Sequence, residues 1–511
     1  MLIKIILLAV FFSVLIAVGL KTRKKADSVS KFVLGGRSIG PWMTAFSYGT
    51  AYFSAVIFVG YAGQFGFKYG LASTWVGLGN ALIGSLLAWA ILGRRTRVMS
   101  NHLQASTMPE FFGKRYDSKR LKIAASIIVF IFLVPYTASI YNGLSRLFEM
   151  AFGIPYIWCV LAMAALTALY VVLGGYMATA VTDFVQGCIM LLGIVVVVAS
   201  VLAEQGGFAQ ALVQLAQVPP DSAAPIAQQG AYTSFFGPDP LNLLGVIILT
   251  SLGAWGLPQM VHKFYAIKSE KAVYAGTVIS TVFALVVAGG SYFLGGFARL
   301  YDSPAIHQAD GSVIYDAIIP SMLAGLPDLV IGLVVVLVLS ASMSTLASLV
   351  LTSSSTITLD LIRDNRKGGL SERAQMRWLR GLLVFFIAVS VILALDPPTF
   401  IAQLMGISWG ALAGSFLAPF IFGLYWKRVT RTAVWASFAS GVGITVSNML
   451  LHYIASPINA GAIAMLAGLA IVPLVSLLGK KPEQAHIDGI FNCYEEKVLV
   501  ARKYHLKNHD E

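Results

Sequence analysis

Residues Thr250-Ser-Leu-Gly-Ala-Trp-Gly-Leu-Pro-Gln259 lie in an apolar run long enough to cross a bilayer, yet they cannot form a uniform helix. Gly253, Gly256 and Pro258 fall within six residues. Glycine weakens a helix interior, and proline removes a backbone N–H and clashes with the preceding turn. The run therefore predicts a helix unwound near its middle. A second stretch has the same character, Gly40-Pro-Trp-Met-Thr-Ala-Phe-Ser-Tyr-Gly-Thr-Ala-Tyr-Phe-Ser54, rich in hydroxyls with Gly49 inside it. Hydrocarbon offers no water to bare backbone groups, so non-helical backbone persists there only where it lines a cavity or is buried in protein. Counted in spans, the two breaks lie five apart and are approached from opposite sides. Matching breaks in two halves of opposite topology are the pattern of an inverted-repeat transporter, whose freed carbonyls and N–H groups bind ions and solutes at mid-membrane. Two merely kinked helices also fit, since Gly and Pro are common in membrane helices.

The composition agrees with a membrane chain. Of 511 residues, 57% are hydrophobic and only 12% charged, with mean hydropathy +0.78; soluble domains run to about 25% charged. Apolar runs of spanning length, about 20 residues, occur near 2–20, 40–62, 70–92, 122–146, 155–173, 180–203, 240–262, 273–298, 329–356, 379–395, 400–425, 432–453 and 459–478. The expected fold is an all-α polytopic membrane protein. It has thirteen transmembrane helices and a five-plus-five inverted-repeat core whose repeats each open on a broken helix. The membrane domain spans 1–480, with repeats near 40–203 and 240–425, and 481–511 form a tail without a recognisable domain. The first run lacks a small-residue cleavage site and is expected to be a retained helix, not a signal peptide.

The net charge of +13 is not spread evenly. Loops 21–37, 94–122, 263–271, 363–380, 427–431 and 480–507 hold 32 of the 36 Lys and Arg, leaving Lys4, Lys68, Arg146 and Arg299. Basic loops stay cytoplasmic. The N-terminus is thus expected outside and the C-terminus in the cytoplasm, in the cell's inner (plasma) membrane. The charge orients the chain, and no nucleic-acid partner is expected; the lipid bilayer is. In the opposite loops, Phe208 to Gln217 is expected to form a short surface helix, Ala309-Asp310-Gly311 a turn, and Ile314 to Leu326 a lid or an interfacial helix.

Polar residues are sparse within the runs. Ala341-Ser-Met-Ser-Thr-Leu-Ala-Ser348 places hydroxyls mid-membrane, suited to a bound ion or to packing between helices. Asp183 is the one clear intramembrane charge, with a helix N-terminal role as the alternative. Cys159, Cys188 and Cys493 form no CxxC, and only His262 among the seven histidines lies near a span. Zinc, iron–sulfur and bis-His haem sites are therefore not expected.

Four segments together carry a resemblance: Gly35-Gly-Arg-Ser-Ile-Gly-Pro-Trp42; Gly174-Gly175 followed by Thr182-Asp183 and Gln186; Leu257-Pro258 followed by Lys263-Phe264; and Ser344-Thr345 followed by Ser353 to Asp360. The chain resembles the sodium:solute symporter family over residues 1 to about 480. The resemblance implies an inverted-repeat core from the second to the eleventh span. It also implies a Na⁺ site made by the carbonyls of Thr50, Phe53 and Ala341 and the hydroxyls of Ser344 and Thr345. Asp183 and Ser348, with Ser344, match a second sodium site or a release path, although Ala347 replaces a hydroxyl there. For substrate, Tyr136 matches a tyrosine of the proline carriers and Pro258 is retained. Tyr52 stands where those carriers have an aspartate, and Thr250 and Ala254 where they have aromatic residues. A pocket of Tyr52, Ser54, Tyr136, Trp255, Pro258 and Gln259, with no evident cation, suits a small polar solute whose carboxylate meets unwound N–H groups.

The expected function is sodium-coupled uptake of such a solute, an amino acid or monocarboxylate, by alternating access in a functional monomer. Proton coupling on the same fold, or sodium-coupled uptake of a sugar or vitamin, is the alternative. No catalytic constellation supports an enzyme. The paired breaks disfavour a channel, and the tail is too short for a signalling domain.

Overall fold

In hydrocarbon each apolar run must close its own backbone hydrogen bonds, which a helix does locally. The described residues accordingly contain no strand, only isolated bridges between Ile39 and Ile267 and between His307 and Val313. The computed structural model describes residues 2–22, 28–364 and 370–494. Its main helices are α1 (Leu2–Thr22), α2 (Pro41–Tyr52), α3 (Lys119–Phe152), α4 (Tyr156–Glu204), α5 (Pro240–Gly256), α6 (Pro258–Ala266), α7 (Glu270–Gly295), α8 (Asp328–Thr356), α9 (Glu372–Leu395), α10 (Ile401–Tyr425), α11 (Arg431–Leu451) and α12 (Pro457–Leu478).

Nine described helices are long and apolar enough to span, ten when α5 and α6 count as one bent pair. Leu2–Val18 and Tyr156–Leu169, both within runs expected to span, are shorter apolar helices by the same measure. Two expected runs join in α4, which kinks at Gly175 (φ 55°, ψ −167°). A side chain at Gly175 would be strained at that φ, and its Cβ would stand 2.8 Å from Phe32.

Both expected breaks are present. α2 stops at Phe53, whose φ of −105° and ψ of 102° are extended, and helical structure resumes at Val56 with a π-helical turn. α5 and α6 meet at an extended Leu257 with a bend of 44°. Pro258 opens α6 at its first position, where the missing N–H costs nothing. α8 and α10 are the most enclosed spans, each 83% buried over its most apolar window, so the two breaks face a protein interior and not lipid.

The basic loops meet at one end of the bundle. Arg37 donates to the carbonyls of Ala105 and Tyr265, Arg97 to that of Ile267, and Arg115 to those of Gly423 and Trp426. Arg363 reaches Glu110, Arg431 pairs with Asp117, and Lys427 pairs with Asp488. Lys4 pairs with Asp328 at 2.9 Å. Phe208–Gln217 is helical as expected, and Asp310 caps a turn with Gly311 at φ 84°. Within 314–326, Ile318–Ala324 forms a helix that buries Ile318, Ile319, Met322 and Leu323 against the protein. Part of the expected plain tail is helical: 484–494 buries Ile487, Ile490 and Phe491, with Arg115 lying 5.1 Å over the Phe491 ring. Residues 495–511 lie outside the described ones.

Candidate functional site

The first break releases backbone groups, and neighbouring hydroxyls take them up. Ser54 Oγ accepts from the Val56 N–H at 3.3 Å, and Ser342 Oγ accepts from the Ala55 N–H at 3.2 Å. On the carbonyl side, Ser344 Oγ and Thr345 Oγ1 each lie 3.0 Å from the Thr50 carbonyl and 3.0 Å from that of Ala341. Thr345 Oγ1 is also 3.3 Å from the Ala51 carbonyl. Each alcohol has one proton and two lone pairs, so it cannot donate to every carbonyl around it. The Thr50 hydroxyl is buried with no hydrogen-bond partner among the described residues. A buried cluster of carbonyl and alcohol oxygens fits a hard cation such as Na⁺.

Four of the five expected ligands, Thr50, Ala341, Ser344 and Thr345, are thus brought together. Phe53 forms the break itself, and its carbonyl makes no hydrogen bond to either alcohol among the described residues; the Ala51 carbonyl is the one found there instead.

One turn along α8 a second polar cluster differs in kind. Ser348 Oγ lies 2.9 Å from Lys263 Nζ, which is also 2.8 Å from Ser47 Oγ. Ser47 Oγ donates to Asp183 Oδ2 at 2.5 Å. Lys263 sits 5.1 Å over the Tyr176 ring. The sequence places Lys263 in a basic loop, and the structure corrects this. Pro258 starts α6 inside the bundle, which carries Lys263, 1% exposed, into the core. The position five residues after a helix-opening proline was the available signal. Of Asp183 and Ser348, expected to hold a second sodium or a release path, Ser348 contacts this ammonium directly and Asp183 is linked to it through Ser47.

The expected solute residues are all buried. Tyr52 and Tyr136 share the Trp409 ring, at centroid distances of 5.9 and 5.8 Å. The Tyr52 hydroxyl donates to the Thr250 carbonyl at 2.5 Å, joining the two broken helices. Trp255 Nε1 donates to the Ile83 carbonyl at 2.9 Å, and both ends of the Gln259 amide are buried without a partner among the described residues. Trp409 was not nominated by sequence; an apolar residue in an apolar helix gives no signal. A cleft of about 580 Å³ opens between the non-basic loops, lined by Gln64, Lys68, Asp239, Arg299 and Tyr315 among others, and contains none of the expected solute residues.

The profile of the sodium:solute symporter family matches residues 32–441. The chain belongs to the sodium:solute symporter family. As such it is a sodium-coupled transporter of solutes and not an enzyme. Relatives of this symporter include the osmoregulated proline transporter OpuE of Bacillus subtilis (strain 168). That protein is 30% identical over 512 residues, covering 98% of this chain and 99% of its own. The sodium/proline symporter of Staphylococcus aureus (strain JH9) is 30% identical over 501 residues, covering 96% and 88%. A substrate-bound, outward-open structure of a Na⁺-coupled sialic acid symporter superposes with a TM-score of 0.74 at 17% identity, covering 94% of this chain and 99% of that one. At that identity the likeness speaks for the shared fold alone.

Proposed function

We propose that this symporter takes up a small carboxylate-bearing solute, an amino acid or monocarboxylate with proline as the first candidate, by alternating access. Sodium sits among the oxygens of Thr50, Ala51, Ala341, Ser344 and Thr345, with the Phe53 carbonyl turning in when the ion binds. The observation that carries this is the pair of alcohols 3.0 Å from the Thr50 carbonyl, where α2 ends. An ion there ties α8 to the first break. Its departure lets a four-helix core rock against its scaffold and release the solute inside. Tyr52, Ser54, Tyr136, Trp255, Pro258 and Gln259 line the solute site, where the unspent Gln259 amide supplies both a donor and an acceptor. The names of the two bacterial relatives support proline as the first solute to try. With basic loops in the cytoplasm, the N-terminus is outside, and the inward sodium gradient and membrane potential drive uptake in a monomer. One charge contributes about 2.3 kcal/mol per 100 mV.

The test is uptake of labelled proline, and of a panel of amino acids, monocarboxylates, sugars and vitamins, into vesicles under a sodium gradient at fixed pH. Ser344→Ala and Thr345→Ala are expected to raise the sodium concentration for half-maximal uptake about tenfold each, the equivalent of about 1.4 kcal/mol. Unchanged sodium dependence in both variants contradicts the ligand assignment.

A further inference from the structure

We propose that the Lys263 ammonium is a built-in cation filling a second cation position one turn from the sodium cradle, so that the symporter carries a single sodium ion per cycle. This rests on the cradle assignment above and adds its stoichiometry.

The cluster has the makings of an alkali-cation site. A carboxylate oxygen (Asp183 Oδ2), two alcohols (Ser47 and Ser348) and the face of Tyr176 converge from α2, α4 and α8. Such a set stabilises any compact monovalent cation in a dry interior. The cation present is the protein's own. Lys263 Nζ contacts both alcohols at ordinary hydrogen-bond distances of 2.8 and 2.9 Å, occupying one lone pair of each and the space between them that a metal ion would take. A second cation a few ångströms away would meet strong repulsion in this medium. Asp183 and Lys263 together are neutral, so this cluster brings no exchangeable charge to the cycle.

Its place in the fold also fits. Ser344 and Ser348 are four residues apart on α8, and Ser47 and Thr50 three apart on α2, so each helix shows one face to both clusters. The cradle beside Ser344 contains no carboxylate and no fixed cation, and its ion can leave. Lys263 cannot leave, because it is tethered to α6. It links the half-helix after the second break to the one before the first break, whatever the state of the sodium site. Removing its ammonium while keeping Asp183 leaves a buried carboxylate and two alcohols with no cation, and sodium is the ion available to replace it.

Equilibrium binding of radioactive sodium to the purified full-length protein decides this. Wild type is expected to bind one ion per chain with a Hill coefficient of one. Lys263→Ala is expected to bind two with a coefficient above one. Lys263→Met combined with Asp183→Asn, which removes both charges, is expected to return to one. Thermal melting of each variant confirms that it is folded. Two ions per wild-type chain, or one ion in a folded Lys263→Ala, overturns the inference. Should Lys263→Ala not fold, the wild-type count and the double variant still decide. Absence of any sodium binding by wild type overturns the cradle and this inference together, whereas two ions per wild-type chain overturns this inference alone.

Discussion

Two polar clusters sit one turn apart on α8 and solve the same problem differently. Around Ser344 and Thr345 every partner is a neutral oxygen, and the hydroxyls are oversupplied with carbonyls. Around Ser348 the partners include Asp183, through Ser47, and the cation that balances it, Lys263. In the proposed cycle the first cluster releases its ion each turn, which the absence of a fixed charge favours. A site that must persist through the cycle gains from a tethered counter-charge. The difference teaches that a hydroxyl in a membrane helix is defined by what the neighbouring break brings to it.

The comparison can be broken first at the charged cluster. Lys263→Ala leaves Asp183 buried without the cation that reaches it through Ser47, at an expected cost of up to about 3–5 kcal/mol, the range for breaking a direct buried ion pair. Thermal melting in sodium-free buffer is expected to show that loss, and added sodium to recover part of it. Melting unaffected by the substitution would mean that Asp183 does not depend on the ammonium. The double replacement Lys263→Met with Asp183→Asn is expected to cost much less, because no charge is stranded.

Asp316 offers the contrast of a buried carboxyl without an ammonium in contact. It lies in the loop before α8 and accepts from the Ile401 N–H at 3.2 Å. Burial pushes its carboxyl up to about 6, with the Ile401 hydrogen bond opposing the rise. A raised value means the fold prefers the protonated form. Stability is therefore full below about pH 4, the ordinary carboxyl range, and falls as pH rises through about 6. The loss is about 3 kcal/mol at most. Asp316→Asn, which keeps an acceptor for Ile401, is expected to flatten the pH dependence of melting over that window. An unchanged slope would assign it to another group.

The smallest effect is expected where the two breaks touch. Tyr52→Phe removes the hydroxyl that donates to the Thr250 carbonyl. It is expected to cost about 1 kcal/mol in melting, and a change in solute uptake larger than that in stability would place Tyr52 against the solute. Stability and uptake falling in step would leave it a strut between α2 and α5.

The two breaks were legible for different reasons. Gly253, Gly256 and Pro258 announce the second by backbone chemistry alone. The first has no proline at the break, and only Gly49 with the run of hydroxyls from Thr50 to Ser54 marks it. The Ser344–Thr345 pair was legible because polar groups in hydrocarbon need partners. Lys263 was not, because Lys268 and Lys271 follow closely and the stretch counts as loop until Pro258 is seen to restart a helix. Trp409 was hidden because aromatic residues are ordinary in an apolar span. The helix at 484–494 had a signal in Ile487, Ile490 and Phe491, which share one face, but it lies within a stretch whose composition is polar.

Sodium affinity of the purified Ser344→Ala/Thr345→Ala double variant, measured by equilibrium binding against wild type, tests the sodium cradle most directly. Loss of two oxygen ligands predicts affinity weaker by about a hundredfold, at about tenfold per ligand, in a protein that still melts cooperatively. Wild-type sodium affinity in a folded double variant would contradict it.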